Sequence, residues 1–352
     1  MAADALEEVW AVRCLDQTRC SLTILVAVAS LAGCSTGTTA APQLRIDSPT
    51  VLGALRPDAN FYGNDIYSSQ PSRNDLLPSR NELLPSGNDL SPSGNDLSVY
   101  TRKGLSLKLL ETLTKGVSAP QGTVTTPSGW WYVANSGDAN VLIYRSTRKG
   151  PKGPVATLDD SGEVPIDVSV TPNRDLVAVS NAASAGGGTG SVSVYENQAS
   201  QPSRVLTYGS DVLAGQGVAI DPKGNCFWSF NDVSNPLALG SIVEFDQCSG
   251  RGTLVRSGIT HAGGLVFDRS GNLYYIDEVL GIFKCRKTSP CKLFSVGFGL
   301  PTNLNFDAKQ KHLWVADALG FIDAVSPQTG VIELQTISID GDPYGIAPSP
   351  GG

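Results

Sequence analysis

The chain has 352 residues, carries 26 Lys and Arg against 33 Asp and Glu, and has a formal charge of −7. No dense basic run occurs, which argues against a nucleic-acid-binding surface and against strong attraction to anionic head groups. Thirty-eight Gly, 22 Pro and a charged fraction of only 17% describe a turn-rich β protein, not one built on long solvated helices.

The chain opens on a leader. Residues 22–32, LTILVAVASLA, form an uncharged, mostly apolar run that is too short to span a bilayer and has the length of a signal-peptide core. It leads into Leu31-Ala32-Gly33-Cys34-Ser35, which resembles the lipobox of bacterial lipoproteins. The resemblance implies a signal peptide over residues 1–33, cleavage before Cys34, and acylation of the Cys34 thiol. Ser35, where that family often carries Asp for inner-membrane retention, resembles an outer-membrane address. The expected location is therefore the bacterial cell envelope, with membrane contact through the lipid anchor only.

Residues 34–96 show no sustained apolar period. They contain four consecutive seven-residue copies, PSRNDLL, PSRNELL, PSGNDLS and PSGNDLS, over residues 71–98. Pro71, Pro78, Pro85 and Pro92 rule out a coiled coil, since each removes a helical donor and clashes with the preceding turn. The stretch reads as a disordered tether with a reach on the order of 40 Å. Recognition of a wall polymer by the repeats is the alternative.

From residue 97 onward a module recurs: a short apolar strand, a turn, an aromatic strand, a second turn, and an Ile/Val-rich strand. Its first strands are QGTVT (121–125), PIDVSV (165–170), QGVAI (216–220), GGLVF (263–267), TNLNF (302–306) and YGIAP (344–348). Gly122, Asp167, Gly217, Gly264, Asn303 and Gly345 mark equivalent positions, 39–50 residues apart. A module of that length with several strands, unable to bury both faces alone, is the signature of a β-propeller. LSVYT (97–101) lacks a first strand, and YGIAP lacks a successor. The expectation is an all-β, six-bladed propeller over residues 97–352, closed by its N- and C-terminal segments. No clear second strand exists for the closing blade, although residues 60–69 are a candidate.

The motifs GVAIDPKGN (217–225), GLVFDRSGNLYYID (264–277) and YVANSGDANVLIYR (132–145) resemble the NHL repeat and the gluconolactonase-like six-bladed propellers. Lactonases of that group hold a divalent cation with oxygen ligands at the start of the inner strands. The matching positions here, Gln121, Ile166, Gln216, Gly263, Thr302 and Tyr344, include no carboxylate. Related lyases hold zinc with histidines, and this chain has only His261 and His312. The expected hub is chemically plain, with no metal site, no cofactor and no catalytic residue. No Gly-x-Ser-x-Gly elbow is present, and the glycine-rich stretch at 185–190 precedes no helix.

The recurring polar residues that end the second strands, Asn135, Asn181, Asn231, Asp277 and Asp317, read as turn caps. Trp130, Trp131, Trp228 and Trp314 read as wedges between blades. Cys226, Cys248, Cys285 and Cys291 allow three pairings. The local one, 226–248 with 285–291, is geometrically favoured in an exported protein. The function expected is a non-enzymatic binding or scaffold module for an envelope protein or small ligand. Gln121, Gln216, His261, Thr302, Asp342 and Tyr344 are its contacts. A metal-dependent lactonase or esterase is the alternative.

Overall fold

Strands form where the alternating runs occur, and 24 lie among the described residues of the computed structural model. Those residues are 65–70, 96–103 and 106–348, less 147–150, 185–186, 210–212, 235–236, 238, 287–288 and 338–342. The leader, Cys34 and Asp342 lie outside them. No α-helix occurs among the described residues.

In chain order, the first strands are β1 (Asp65–Gln70), β2 (Asp96–Lys103) and β3 (Ser106–Leu113). Five sheets then follow, each from one stretch of chain. The first holds β4 (Pro120–Thr125), β5 (Trp130–Asn135), β6 (Asn140–Arg145) and β7 (Ala156–Asp159). The second holds β8 (Glu163–Val170), β9 (Leu176–Ser184), β10 (Ser191–Glu196) and β11 (Arg204–Leu206). The third holds β12 (Leu213–Ile220), β13 (Cys226–Asp232), β14 (Gly240–Phe245) and β15 (Thr253–Ile259). The fourth holds β16 (Ala262–Phe267), β17 (Leu273–Asp277), β18 (Gly281–Arg286) and β19 (Ser289–Ser295). The fifth holds β20 (Pro301–Phe306), β21 (Leu313–Asp317), β22 (Phe321–Val325) and β23 (Ile332–Ile337).

The last strand, β24 (Gly345–Pro348), joins the first three in a composite sheet of order β24-β1-β2-β3. The fold is an all-β propeller. Blades made from one unbroken stretch number five among the described residues, not six, because the sheet that holds β24 takes β1 as its second strand. β1 fills the place for which the sequence offered only residues 60–69. Although it falls within the stretch read as a tether, it pairs with β24 on one side and β2 on the other.

Gln70 is opposite Asp96, so β1 and β2 are adjacent antiparallel strands of one sheet. Residues 71–95, which hold most of the seven-residue repeats, lie outside the described residues.

Apolar clusters fill the spaces between successive sheets. Val194, Trp228 and Phe245 join the second sheet to the third, and Tyr132, Val179 and Tyr195 join the first to the second. Ile346 of β24 packs with Trp314 and Ile322, while Leu97, Val99 and Ala347 pack with Trp131 and Tyr144. Burying one such large side chain is worth roughly 1.5–3 kcal/mol, which a lone four-stranded sheet could not collect on both faces. Trp131, Trp228 and Trp314 are among the largest fully buried side chains, in the wedge role expected of them. Trp130 is half-buried and lies under the Arg174 guanidinium, 3.7 Å from the ring centre.

Both disulfides follow the local pairing, Cys226–Cys248 and Cys285–Cys291. Each staples a hairpin at the edge where inner strands end. Turns on that edge are fixed by a repeated carboxylate. Asp221 Oδ1 accepts from the Lys223 and Asn225 amides at 2.8 and 3.0 Å, and Asp268 Oδ1 accepts from Ser270 and Asn272 at 2.9 and 2.8 Å.

Candidate functional site

The inner strands β4, β8, β12, β16, β20 and β24 lie side by side, and the repeat markers meet at a hub. A Cβ on Gly217 would stand 2.7 Å from Gly264 Cα, and one on Gly264 would stand 3.1 Å from Asn303 Cα. Backbone approaches backbone so closely that glycine is required at these two positions. Two markers are not glycine. Asp167 Oδ2 accepts from the Val218 amide at 2.9 Å, and Oδ1 accepts from Asn303 Nδ2 at 3.1 Å. Asn305 Nδ2 donates to Ile346 O at 2.7 Å and to Thr123 O at 2.8 Å. Burial pushes the Asp167 carboxyl up to about 7, against the pull of these hydrogen bonds. The hub is therefore not chemically plain, because it holds a buried carboxylate tied to an amide on a non-adjacent sheet. The signal was in the sequence: a charged residue stands where the repeat elsewhere has glycine.

One residue before each marker lie Gln121, Gln216, Thr302 and Tyr344, all half-buried. They sit on the edge where inner strands begin, here called the entry edge. Thr302 Oγ1 lies 3.2 Å from both Ala316 O and Pro343 O. His261 stands just before β16 on the same edge. Its Nδ1 is 2.7 Å from Glu278 Oε2, and Asn231 Nδ2 lies 3.3 Å from its Nε2. Spacing alone did not reveal Glu278 as a partner, because the two meet only through the pairing of β16 with β17. His312 lies on the opposite edge, half-buried, with Nδ1 2.9 Å from Asp307 Oδ2.

Four of the five strand-end polar residues cap the chain entering an inner strand. Asn135 Oδ1 accepts from the Ser118 amide at 2.6 Å, and Asn231 Oδ1 accepts from Ala262 at 2.8 Å. Asp277 Oδ2 accepts from Thr260 at 2.8 Å, and Asp317 Oδ1 accepts from Leu300 at 2.8 Å. Asn181 departs from this pattern, since its Oδ1 has no hydrogen-bond partner.

The entry-edge loops of the third, fourth and fifth sheets expose large apolar side chains: Val233, Leu237, Val279, Leu280, Val296 and Leu319. Leu237 is 65% exposed, Val279 66% and Leu319 61%. The opposite edge exposes only Val155 and Val331 among the described residues, and the remaining exposed apolar side chains lie on outer strands. Sequence reading missed this asymmetry, because short apolar loops look like strand ends until the edges are assigned.

No protein-family model and no curated protein matches the sequence. Among solved structures, a functionally unknown protein from Desulfotomaculum acetoxidans DSM 771 aligns with 72% of this chain and 96% of its own, at 13% identity and a TM-score of 0.51. The calcium-binding protein regucalcin from Agrobacterium tumefaciens str. C58 aligns with 66% of this chain and 78% of its own, at 12% identity and a TM-score of 0.49. At 13% identity the first likeness speaks to the fold alone, and no family model stands behind the NHL resemblance of the motifs.

Proposed function

We propose that the chain is an exported, lipid-anchored propeller that binds a protein of the bacterial envelope on its entry face and performs no chemistry of its own. One observation carries the reading: six large apolar side chains from three successive sheets are exposed on one edge of the fold. Apolar side chains gathered on one face of a fold mark an interaction site. Half-buried Gln121, Gln216, His261, Thr302 and Tyr344 lie on the same edge and supply polar contacts inside an apolar rim. Asp342, two residues before Tyr344, belongs to the same connection.

The composite sheet serves as the sixth blade in this reading. Its β24 contacts both β20 and β4, and Asn305 Nδ2 bonds to Ile346 O of β24 and Thr123 O of β4. Lipidation at Cys34 and an outer-membrane location follow from the lipobox and Ser35.

The test compares the parent chain with the V279S/L280S variant as bait in an envelope extract. Both side chains are exposed, so melting temperatures should agree within about 2 °C. A partner retained by the parent and lost by the variant supports the proposal, and equal capture by both removes it. Saturable turnover of a lactone or ester panel by metal-loaded protein would favour the hydrolase reading instead.

A further inference from the structure

Asp160, in the connection from β7 to β8, and Glu163, which opens β8, are two carboxylates that no basic side chain answers among the described residues. Asp160 is 2% exposed. Its Oδ1 lies 2.8 Å from the Tyr195 hydroxyl, and its Oδ2 has no hydrogen-bond partner. Ser193 and Asn181 stand near enough to this carboxylate to lower its pKa, yet neither satisfies Oδ2 at hydrogen-bond geometry. Glu163 is half-buried, and its Oε2 accepts from the Ser191 hydroxyl at 3.0 Å. Burial raises the pKa of both acids, and their mutual repulsion adds to the rise at Glu163. Among the described residues, no lysine or arginine acts on either one.

Asn181 closes the group from β9. It is fully buried, and its Nδ2 donates to Ser191 Oγ at 3.1 Å and Ser193 Oγ at 3.0 Å. Its Oδ1 is left without a partner. In the four sister sheets the equivalent oxygen accepts a backbone N–H from the chain entering an inner strand. Here that chain turns on itself, with the Glu163 amide bonded to Asp160 O at 3.0 Å, and places a carboxylate beside Asn181. Two buried acceptor oxygens without donors, two acids and two hydroxyls are an unfavourable set unless something positive sits among them.

We propose that Asp160, Glu163 and Asn181, with the Ser191 and Ser193 hydroxyls, form a binding site for a hard divalent cation, Ca²⁺. The donor set is all oxygen, with one neutral amide and two carboxylates, which suits Ca²⁺ and does not suit zinc. Glu163 is the more exposed acid and lies at the entry edge, where an ion and its remaining waters would enter. Two carboxylates place the affinity near the weak extracellular class, with Kd about 10⁻⁴–10⁻³ M. The site opens on the same edge as the proposed partner face but shares no residue with it, so its test does not depend on that reading.

The experiment uses full-length protein stripped with a chelator, then titrated with CaCl₂ or MgCl₂ under calorimetry and thermal melting. Terbium luminescence excited through Tyr195 gives a third readout, because its hydroxyl touches Asp160. The expected result is one Ca²⁺ per chain, a rise of several degrees in melting temperature, and sensitised terbium emission displaced by Ca²⁺. E163Q and D160N should each weaken binding at least tenfold, whereas N181D should tighten it. Should D160N fail to fold, E163Q decides, since that residue is half-exposed. Absence of saturable Ca²⁺ binding in the parent overturns the proposal, and so does binding undiminished in E163Q.

Discussion

Asp323 gives the sharpest test of the packing between sheets. It lies on β22 opposite Val315 and Gln335 and is fully buried; neither carboxylate oxygen is satisfied at hydrogen-bond geometry, and only the Gln335 side chain stands near enough to pull its pKa down. Counting two residues inward from the strand-end pair, three other sheets have Leu142, Ile242 and Phe283 at this register, and the second has Ser193. Burial, and secondarily the charge of Asp317, push the Asp323 carboxyl from 3.8 up to about 8. The folded protein therefore keeps a proton that the unfolded chain releases near pH 4. Stability from this residue is highest below pH 4, falls as pH rises towards 8, and is flat above that. At about 1.4 kcal/mol per pH unit, the loss by pH 8 is on the order of 5 kcal/mol. D323N removes the titration while keeping the shape, and D323L restores the apolar residue seen in β6. Urea unfolding at pH 5, 7 and 8.5 should show D323N gaining on the parent by several kcal/mol across the series. D317N, which removes the neighbouring charge, should move the window to lower pH. A parent-to-D323N difference that stays constant within about 0.5 kcal/mol would refute the reasoning, because the carboxylate would then be ionised and paired in the folded protein.

Gly217→Ala should cost about 2–3 kcal/mol, since its Cβ would stand 2.7 Å from Gly264 Cα and 2.8 Å from Leu265 N, backbone atoms that cannot rotate away. Gly250→Ala, where nothing lies within 4 Å and only the positive φ objects, should cost about 1 kcal/mol; thermal melts compare the two. Replacing Cys226 and Cys248 by Ser should destabilise by roughly 3 kcal/mol or more, because the bridge closes a 22-residue separation in the core. The same change at Cys285 and Cys291, which closes six residues, should cost roughly 2 kcal/mol in urea. Asp317→Ala should speed hydrogen exchange at residues 299, 300 and 319, whose amides it accepts at 2.5, 2.8 and 2.9 Å, and leave the opposite edge unchanged.

Inner, second and third strands were legible because each is buried between neighbours and must alternate or run apolar. Outer strands were not. β15 is exposed along nearly its whole length, and β11 leaves Val205 in solvent, so neither needs a readable pattern. β1, DIYSSQ, is mostly polar, and its pairing with β2 and with β24, far away in sequence, makes it a strand. No local signal in residues 65–70 carries the pairing of Gln70 with Asp96 or of Ile66 with Pro348.

Where this chain departs from its own repeat, the departures fall on chemistry. Hub crowding demands glycine at Gly217 and Gly264, while Asp167 and Asn303 stand at the same markers bonded to each other across the hub. Ser193 and Asp323 occupy one register in their sheets where leucine, isoleucine or phenylalanine stands in three others. Asn181 lacks the amide that each of its four counterparts accepts. A polar residue buried where the repeat offers an apolar one costs stability, and nothing in the propeller's architecture returns that cost. The repeat therefore specifies the ring, and its exceptions are the positions at which substitution should separate binding from folding.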